Sequence, residues 1–148
     1  MSDTGCFVCE KHRGRIDVPG GCLFEDELVY STHGIIQPGK TRDYLGTLFV
    51  EPKRHVPGIA ELTDAEAERI GRLSSRLARA LKQTGDVDHT YVHVWGHHVA
   101  HLHVWIVPRY RGTPAEFLPM QMAEWTGAPT GDAHEIADLC SRIRLCLG

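Results

Sequence analysis

The segment HHVAHLHVWIVPR at residues 97–109 constrains the fold of this chain more than any other stretch. Apolar and polar side chains alternate through its second half, and a period of two predicts a β-strand. The apolar side chains share one face of that strand, and these are Leu102, Val104 and Ile106. His101, His103 and Trp105 point to the other face. Burying a histidine ring without partners is costly, so these rings need hydrogen bonds, a metal or a catalytic role.

The rest of the chain supplies further strands. Runs rich in β-branched and aromatic residues, bounded by turn residues, predict them. They cover Leu28–Thr32, residues 46–52, residues 89–96 and residues 100–110. Gly96 and the residues after it are expected to join the last two strands as a short turn.

Two amphipathic helices are also predicted. The first runs from Thr63 to Thr84, with Thr63 and Glu66 as a capping box and Gly85 at its end. Its apolar stripe has helical spacing and consists of Ala67, Ile70, Leu73, Leu77 and Leu81. The second helix has Asp132 as its cap and Glu135 three residues later. Its stripe consists of Ile136, Leu139, Ile143 and Leu147. Together these elements predict an α+β fold, with one long helix and a C-terminal helix beside an antiparallel sheet.

Length and composition exclude several classes of protein. The 148 residues suffice for one domain with a core, so we expect a single domain over residues 1–148. The net charge of −3 offers no electrostatic argument for binding nucleic acid or an anionic membrane. No apolar run approaches the roughly 18 residues of a membrane span. The N-terminus has no secretory signal pattern, so we expect a cytoplasmic protein.

Five cysteines without a secretory signal do not indicate a disulfide framework. Cys6 and Cys9 form a C-x-x-C pair, which suits one edge of a metal site or a redox couple. No thioredoxin-like βαβ pattern follows the pair, which argues against the redox alternative. Cys140 and Cys146 fall in the C-terminal helix and are interpreted as small core residues.

The segment HLHVWIVPRY resembles the histidine triad (HIT) motif, in which three alternating histidines precede two apolar residues and often Pro-Arg. His101 and His103 match the first two histidines, and Trp105 stands at the third. The blocks CFVC, FEDELV and GTLFVEPKRHVPGIAELTDAE occur in the order of zinc-containing bacterial HIT proteins similar to diadenosine polyphosphate hydrolases. The resemblance covers most of the chain and implies a HIT-like fold.

The resemblance also implies a chemistry. Triad proteins cleave nucleoside phosphates at the α-phosphorus, and the middle histidine, here His103, attacks to form a nucleotidyl-histidine intermediate. A neutral imidazole suits this task near pH 7. Relatives with glutamine at the third position act as nucleotidyl transferases, so Trp105 leaves open whether the outcome is hydrolysis or transfer. The substrate is a nucleoside phosphate such as a dinucleoside polyphosphate or a nucleoside phosphoramidate.

Several residues are candidates for holding the nucleotide. His98 falls where relatives place a phosphate-binding hydroxyl, and Arg109 follows the motif. With His101 and the indole N–H of Trp105, they form the predicted phosphate- and nucleotide-binding set. Relatives hold the ribose with an acidic residue, for which Asp43 is a guess.

The resemblance further implies a structural zinc ion and a homodimer. The zinc ligands would be Cys6, Cys9, His55 of the PKRH block and His101, which leave no open coordination position. The dimer interface would use the long helix, Thr63 to Thr84, and the strand beside it.

Two other function classes stay open at this point. One is a zinc-stabilised nucleotide-binding protein with weak or no catalysis, because Trp105 replaces the third histidine. The other is a zinc-stabilised nucleic-acid module, which the acidic charge balance argues against.

Overall fold

The computed structural model describes residues 3–148, so the first two residues of the predicted 1–148 domain lie outside the described residues. Within this range the strands are β1 (Cys22–Glu25), β2 (Val29–His33), β3 (Asp43–Tyr44), β4 (Leu48–Pro52), β5 (Val87–Val94), β6 (Val104–Tyr110) and β7 (Thr130–Gly131). The α-helices are α1 (Phe7–His12), α2 (Asp64–Thr84) and α3 (Ala133–Leu147). Short 3-10 turns cover Ile59–Glu61 and Met122–Glu124.

The main sheet has five antiparallel strands in the order β1-β2-β4-β6-β5. A separate pair joins β3 to β7. The predicted α+β architecture is therefore confirmed, with α1, β1, β3 and β7 as elements that the pattern did not predict. No helix within residues 3–148 combines the length and the apolarity needed to cross a membrane.

The two faces of the main sheet have different coverings. Side chains that alternate onto one face form the main core with α2 and α3, among them Leu48, Val50, Val104 and Ile106. Phe49 and Trp105 are cross-strand partners and point to the opposite face, as the period of two requires. α1 lies on that opposite side, because its Lys11 contacts Glu51 of β4.

Helix α2 forms as predicted at both ends. The Thr63 hydroxyl accepts from the Glu66 N–H, and the Glu66 carboxylate accepts from the Thr63 N–H, which completes the capping box. Gly85 follows the last turn and donates its N–H to the carbonyl of Leu81. The predicted stripe is confirmed from Ile70 onward, where its members are buried.

At the first turn of α2 the prediction for Ala67 was wrong. Ala67 is exposed, and the residue that turns inward is Glu66, with a relative exposure of 4%. Arg54 donates two hydrogen bonds to the Glu66 carboxylate at 2.9 and 2.7 Å. This bidentate pair satisfies the charge of Glu66. The loop before α2, which carries Arg54, therefore packs on the Glu66 carboxylate, where the Ala67 methyl group was expected.

Helix α3 shows the predicted cap and stripe, with reciprocal hydrogen bonds between Asp132 and Glu135. Cys140 is buried as expected, but the expectation that Cys146 is a core residue was wrong, since it is exposed. Cys146 lies about 100° around the helix from the buried Leu147, and its side chain faces solvent.

Strand β6 begins at Val104, three residues later than the first histidine of the predicted strand. His101, Leu102 and His103 belong instead to the connection between β5 and β6, which spans residues 95–103 and is longer than the predicted short turn. The Leu102 N–H donates to the carbonyl of Val56 at 2.7 Å, which directs this segment toward the loop after β4.

Candidate functional site

A cavity of about 360 Å³ lies on the face of the main sheet opposite α2. Its walls come from α1, from β4, β5 and β6, and from the segments near residues 33–47 and 119–123. Most of the lining surface is apolar, and polar and charged side chains supply the rest. This size and lining are typical of a small-molecule site. His103, Trp105 and Asp43 are all among the lining residues.

His103 is held by a single hydrogen bond to the backbone. Its Nδ1 lies 2.8 Å from the carbonyl oxygen of His101. A carbonyl only accepts, so Nδ1 carries the proton and Nε2 carries the lone pair. Within the described residues Nε2 has no hydrogen-bond partner, and the ring lines the cavity. His103 thus has the tautomer and the location that a nucleophile requires.

Trp105 occupies the wall beside His103, with ring centroids 6.0 Å apart. Its ring stacks on His93, the residue opposite it on β5, at 5.5 Å and 18°. Phe49 contacts the same ring edge-on at 4.6 Å. The indole Nε1 of Trp105 and Nε2 of His93 are enclosed and have no hydrogen-bond partner within residues 3–148. Burial lowers the pKa of His93, which favours its neutral form.

A buried ionic cluster forms another wall of the cavity. Glu51 is 1% exposed and accepts from Lys11 Nζ at 2.5 Å and from His12 Nε2 at 2.9 Å. Burial opposes ionisation of Glu51, but these two donors prevail and lower its pKa. Lys11 and Glu51 both line the cavity. The sequence analysis did not single out any of the three residues; an acidic residue inside the apolar strand GTLFVEP was the available signal.

His33 closes the cavity near β2 and acts as a structural residue. Its Nδ1 donates to the Gly34 carbonyl at 2.8 Å, and its Nε2 accepts from the Gly46 N–H at 3.0 Å. Burial lowers its pKa, so the neutral ring that makes both bonds is favoured. The chain that follows brings Asp43 of β3 to the cavity wall, as the guess from the resemblance requires.

The predicted metal ligands come together at one end of α1. The ligand atoms of Cys6, Cys9, His55 and His101 all lie within 4.8 Å of one another. His55 Nδ1 and His101 Nδ1 are 3.2 Å apart. Cys9 Sγ lies 3.4 Å from each of these nitrogens, and Cys6 Sγ lies 3.5 Å from His101 Nδ1.

These separations match the edges of a tetrahedral zinc site. With zinc–nitrogen bonds of about 2.05 Å and zinc–sulfur bonds of about 2.3 Å, a tetrahedron has edges of about 3.3 Å between nitrogens and about 3.5 Å between nitrogen and sulfur. Burial, followed by the adjacent Cys6 thiol, raises the pKa of Cys9 to about 12. A divalent cation is the group that stabilises the thiolate in such a position.

His101 belongs to this cluster and does not reach the cavity. It is fully buried, its Nδ1 faces the other three ligands and its Nε2 donates to the Pro52 carbonyl at 2.8 Å. With both nitrogens committed, it has no donor left for a phosphate. The structure therefore separates its two predicted roles and retains only the one in the metal cluster.

Of the other predicted phosphate contacts, Arg109 and His98 lie away from the main cavity. Arg109 donates to the carbonyls of Phe117, Thr113 and Pro114, and so anchors the segment that leads to the cavity wall. His98 is exposed and lines a second, smaller cavity together with Cys6 and His55. Trp105 does line the main cavity, but its N–H is enclosed and has no hydrogen-bond partner among residues 3–148.

Comparison with known proteins agrees with this architecture. The model of the HIT domain family matches residues 19–112. This range is more than half of the chain, so the protein belongs to the HIT domain family, as the motif suggested. The match begins after α1, which leaves Cys6 and Cys9 outside it.

Individual relatives extend the comparison to the whole chain. "Protein hit" of Bacillus subtilis (strain 168) is 29% identical over 110 residues, which is 71% of each protein. A zinc-bound histidine triad family protein from Mycobacterium smegmatis superposes with a TM-score of 0.73 over 99% of this chain and 97% of its own, at 20% identity. A HIT family protein from Bacillus anthracis superposes with a TM-score of 0.61 at 27% identity, over 73% and 75% of the two chains. The predicted HIT-like fold is therefore confirmed.

Proposed function

We propose that this protein binds a nucleotide in the main cavity and cleaves nucleoside phosphates at the α-phosphorus through a nucleotidyl-histidine intermediate on His103. The observation that carries the proposal is the hydrogen bond from His103 Nδ1 to the His101 carbonyl, which leaves an Nε2 lone pair at the cavity. Nucleotide binding is also named for a relative of similar fold, a hypothetical histidine triad nucleotide-binding protein from Sulfolobus tokodaii, with a TM-score of 0.71.

The reaction has two balanced steps. The Nε2 lone pair attacks the α-phosphorus, a P–N bond forms, and the bond to the leaving group breaks with its electron pair going to that group. Water then attacks the same phosphorus, the P–N bond breaks, and its electron pair returns to Nε2. The water proton goes to solvent, and the product is a nucleoside monophosphate. Another acceptor in place of water would make the protein a nucleotidyl transferase.

Asp43 supports binding of the nucleoside. Its carboxylate is the acidic group of β3 at the cavity, and the 2′- and 3′-hydroxyls of a ribose are suitable donors to it. Aromatic side chains of the wall, among them Phe49 and Trp105, offer flat apolar surface to a base.

Zinc is proposed as a structural ion held by Cys6, Cys9, His55 and His101. The donor set, two thiols and two imidazoles, and the tetrahedral separations support this ion over magnesium or calcium, which prefer oxygen ligands. When bound, zinc supplies cross-linking and charge to the fold, since four protein ligands leave no position for a substrate. The residues of the cavity carry the chemistry.

His103→Ala tests the proposed reaction. The variant should lose turnover of a dinucleoside polyphosphate, while nucleotide affinity falls only a few-fold, because covalent catalysis is lost and the other contacts remain. Rapid acid quench of the unmodified protein, followed by peptide mapping, should place a nucleotidyl adduct on His103. Full activity of the His103→Ala protein would refute the proposal.

A second candidate function is a zinc-stabilised nucleotide-binding protein with weak or no catalysis. Nε1 of Trp105 is enclosed and has no partner among residues 3–148, which favours this candidate, because the third position of the motif then offers neither a titratable group nor an accessible donor. Tight nucleotide binding without product by mass spectrometry would support this alternative.

We further propose that residues 1–148 act as one domain, as a homodimer in the cytoplasm, with no nucleic acid as partner. The edge strand β5 supports the dimer, because Val92, Val94 and the following Trp95 are 54%, 37% and 52% exposed. An apolar edge strand is stabilised when a second copy covers it. Sedimentation at micromolar concentration should give twice the mass of the chain, and Trp95→Asp should shift it to the monomer. A monomer for the unmodified protein would contradict this.

A further inference from the structure

Lys11 is a buried ammonium group with unused hydrogen-bonding capacity. Its relative exposure is 4%, and its Nζ makes one hydrogen bond within residues 3–148, to Glu51. The group also lies 5.4 Å from the centre of the Phe49 ring, over its face. A lysine has three N–H donors, so two donors of a buried cation remain without an acceptor. Leaving such donors unpaired is costly unless a ligand or water satisfies them.

The position of Lys11 in the cavity suits an anion. Among the described lining residues it is the one lysine or arginine side chain. The predicted Arg109 is not among them and donates to backbone carbonyls instead. Phe49 contacts both Lys11 and His103, with the His103 ring centroid at 5.9 Å. In the register of β4 and β6, Phe49 pairs with Trp105. Continued by two residues, this register places Glu51, the hydrogen-bond partner of Lys11, opposite His103.

The polarity of the cavity follows from these contacts. The Tyr44 hydroxyl, next to Asp43, donates to the carbonyl of Pro108, well along β6 from its start. His103 immediately precedes β6, and Lys11 lies beside it over β4. A nucleotide with its ribose at Asp43 and its α-phosphate at His103 therefore directs the group beyond the α-phosphate to the end of the cavity where His103 and Lys11 lie.

We infer that Lys11 binds the phosphate chain beyond the α-phosphate and makes the cavity selective for phosphoanhydride substrates, an inference that rests on the proposed function. Leaving-group chemistry agrees with it. An amine must receive a proton as it departs, and Trp105 cannot supply one. A phosphate departs as an anion near pH 7 and needs positive charge instead, which Lys11 provides. Glu51 and its second donor His12 hold that charge in place.

Binding measurements test this inference separately from catalysis. In a His103→Asn background, which lacks the nucleophile, calorimetry compares adenosine monophosphate with adenosine triphosphate, and guanosine nucleotides repeat the comparison. The triphosphate should bind more tightly. Lys11→Met should reduce the ratio of the two affinities at least tenfold, and Lys11→Arg should retain most of it. Lys53→Met is the matched control, because Lys53 pairs with Glu25 outside the cavity.

Turnover provides the second measurement. In the protein with His103 intact, the ratio of kcat/KM for a dinucleoside polyphosphate over that for a nucleoside phosphoramidate should fall at least tenfold with Lys11→Met. If the melting curve of Lys11→Met shows loss of folding, the double variant Lys11→Met/Glu51→Gln replaces it, because it removes both members of the ion pair. An unchanged affinity ratio in a folded variant, or an equal loss in Lys53→Met, would overturn the inference. If Lys11→Met loses the affinity ratio but the unmodified protein shows no turnover, the Lys11 site is supported and the proposed reaction is refuted.

Discussion

At the scale of single residues, the partners of each ring nitrogen decide what a histidine does. His101 and His33 use both nitrogens in the folded chain, and so each has a structural role. His103 uses one and keeps the other at the cavity. Alternation in HLHVW assigned His101 and His103 to one face, but it contained no information on the carbonyls of Pro52 and His101 that separate their roles. That difference depends on contacts between segments far apart in the chain.

Trp105 gives a prediction at the same scale. Trp105→His places a titratable donor beside His103, where it can protonate a leaving group, so hydrolysis of a dinucleoside polyphosphate should rise by about 10²-fold or more. Steady-state kinetics with product analysis measures the effect. Phe is the matched control, since Trp105→Phe keeps an aromatic ring beside His93 without a proton to give, and it should not raise the rate.

His98 separates the two explanations of the missing third histidine. If His98 already performed the work of that residue, His98→Ala would be severe and Trp105→His would change little. Because His98 is exposed and lines the smaller cavity, we expect His98→Ala to alter kcat by less than a few-fold. A loss of activity close to that of His103→Ala would contradict the assignment.

At the scale of elements, local patterns predicted the two long helices well and their ends best, but not α1. Caps and stripes depend on residues three or four apart, so α2 and α3 were recognisable without tertiary information. Glu66 was recognised as a cap but not as a buried residue, because its partner Arg54 comes from the preceding loop. Likewise Lys11 in CEKH looks like any surface lysine until the fold brings Glu51 of β4 against it.

Glu66 makes the stability of α2 depend on pH. Hydrogen bonds from Arg54, and then from the capping box, lower the pKa of Glu66 from 4.5 to about 2. A folded pKa below the unfolded value means that the charged form stabilises the fold above about pH 5 and that this stabilisation is lost as the pH falls through about 2. Glu66→Gln should therefore lower Tm by a few degrees at pH 7.

The Tm values of the unmodified protein and Glu66→Gln must also be compared in acid, to show that the lost charge causes the difference. At pH 2 to 3 the unmodified protein has begun to lose the same charge, so the difference in Tm between it and Glu66→Gln should shrink. Glu68→Gln is the matched control on the exposed side of α2 and should change little at either pH. A difference in Tm that stays constant between pH 7 and pH 2.5 would show that the packing of Glu66, and not its ionisation, is what matters.

At the scale of the whole molecule, the cluster of cysteines and histidines brings together three segments that are far apart in the sequence. It joins α1 to the loop after β4 and to the segment before β6, which includes His101. The His101 carbonyl holds His103, and α1 carries Lys11 into the cavity wall. The proposed structural ion would thus hold two cavity residues in position without contacting a substrate. Residues in the outer shell of a catalytic centre act in the same way on the residues that touch the substrate.

Loss of the ion should consequently affect stability and activity together. We predict one zinc per chain in protein purified without added metal. Cys9→Ser should abolish stoichiometric zinc, lower Tm strongly and reduce turnover, because structural zinc sites contribute folding free energy directly. Cys146→Ser is the matched control, since Cys146 is exposed on α3 and does not belong to the cluster, and it should keep both zinc and Tm. Metal analysis by mass spectrometry and thermal melting measure the two effects.

Absence of zinc from the unmodified protein, or an unchanged zinc content in Cys9→Ser, would refute the site. Retained zinc in Cys146→Ser with lost zinc in Cys9→Ser assigns it to the cluster at α1.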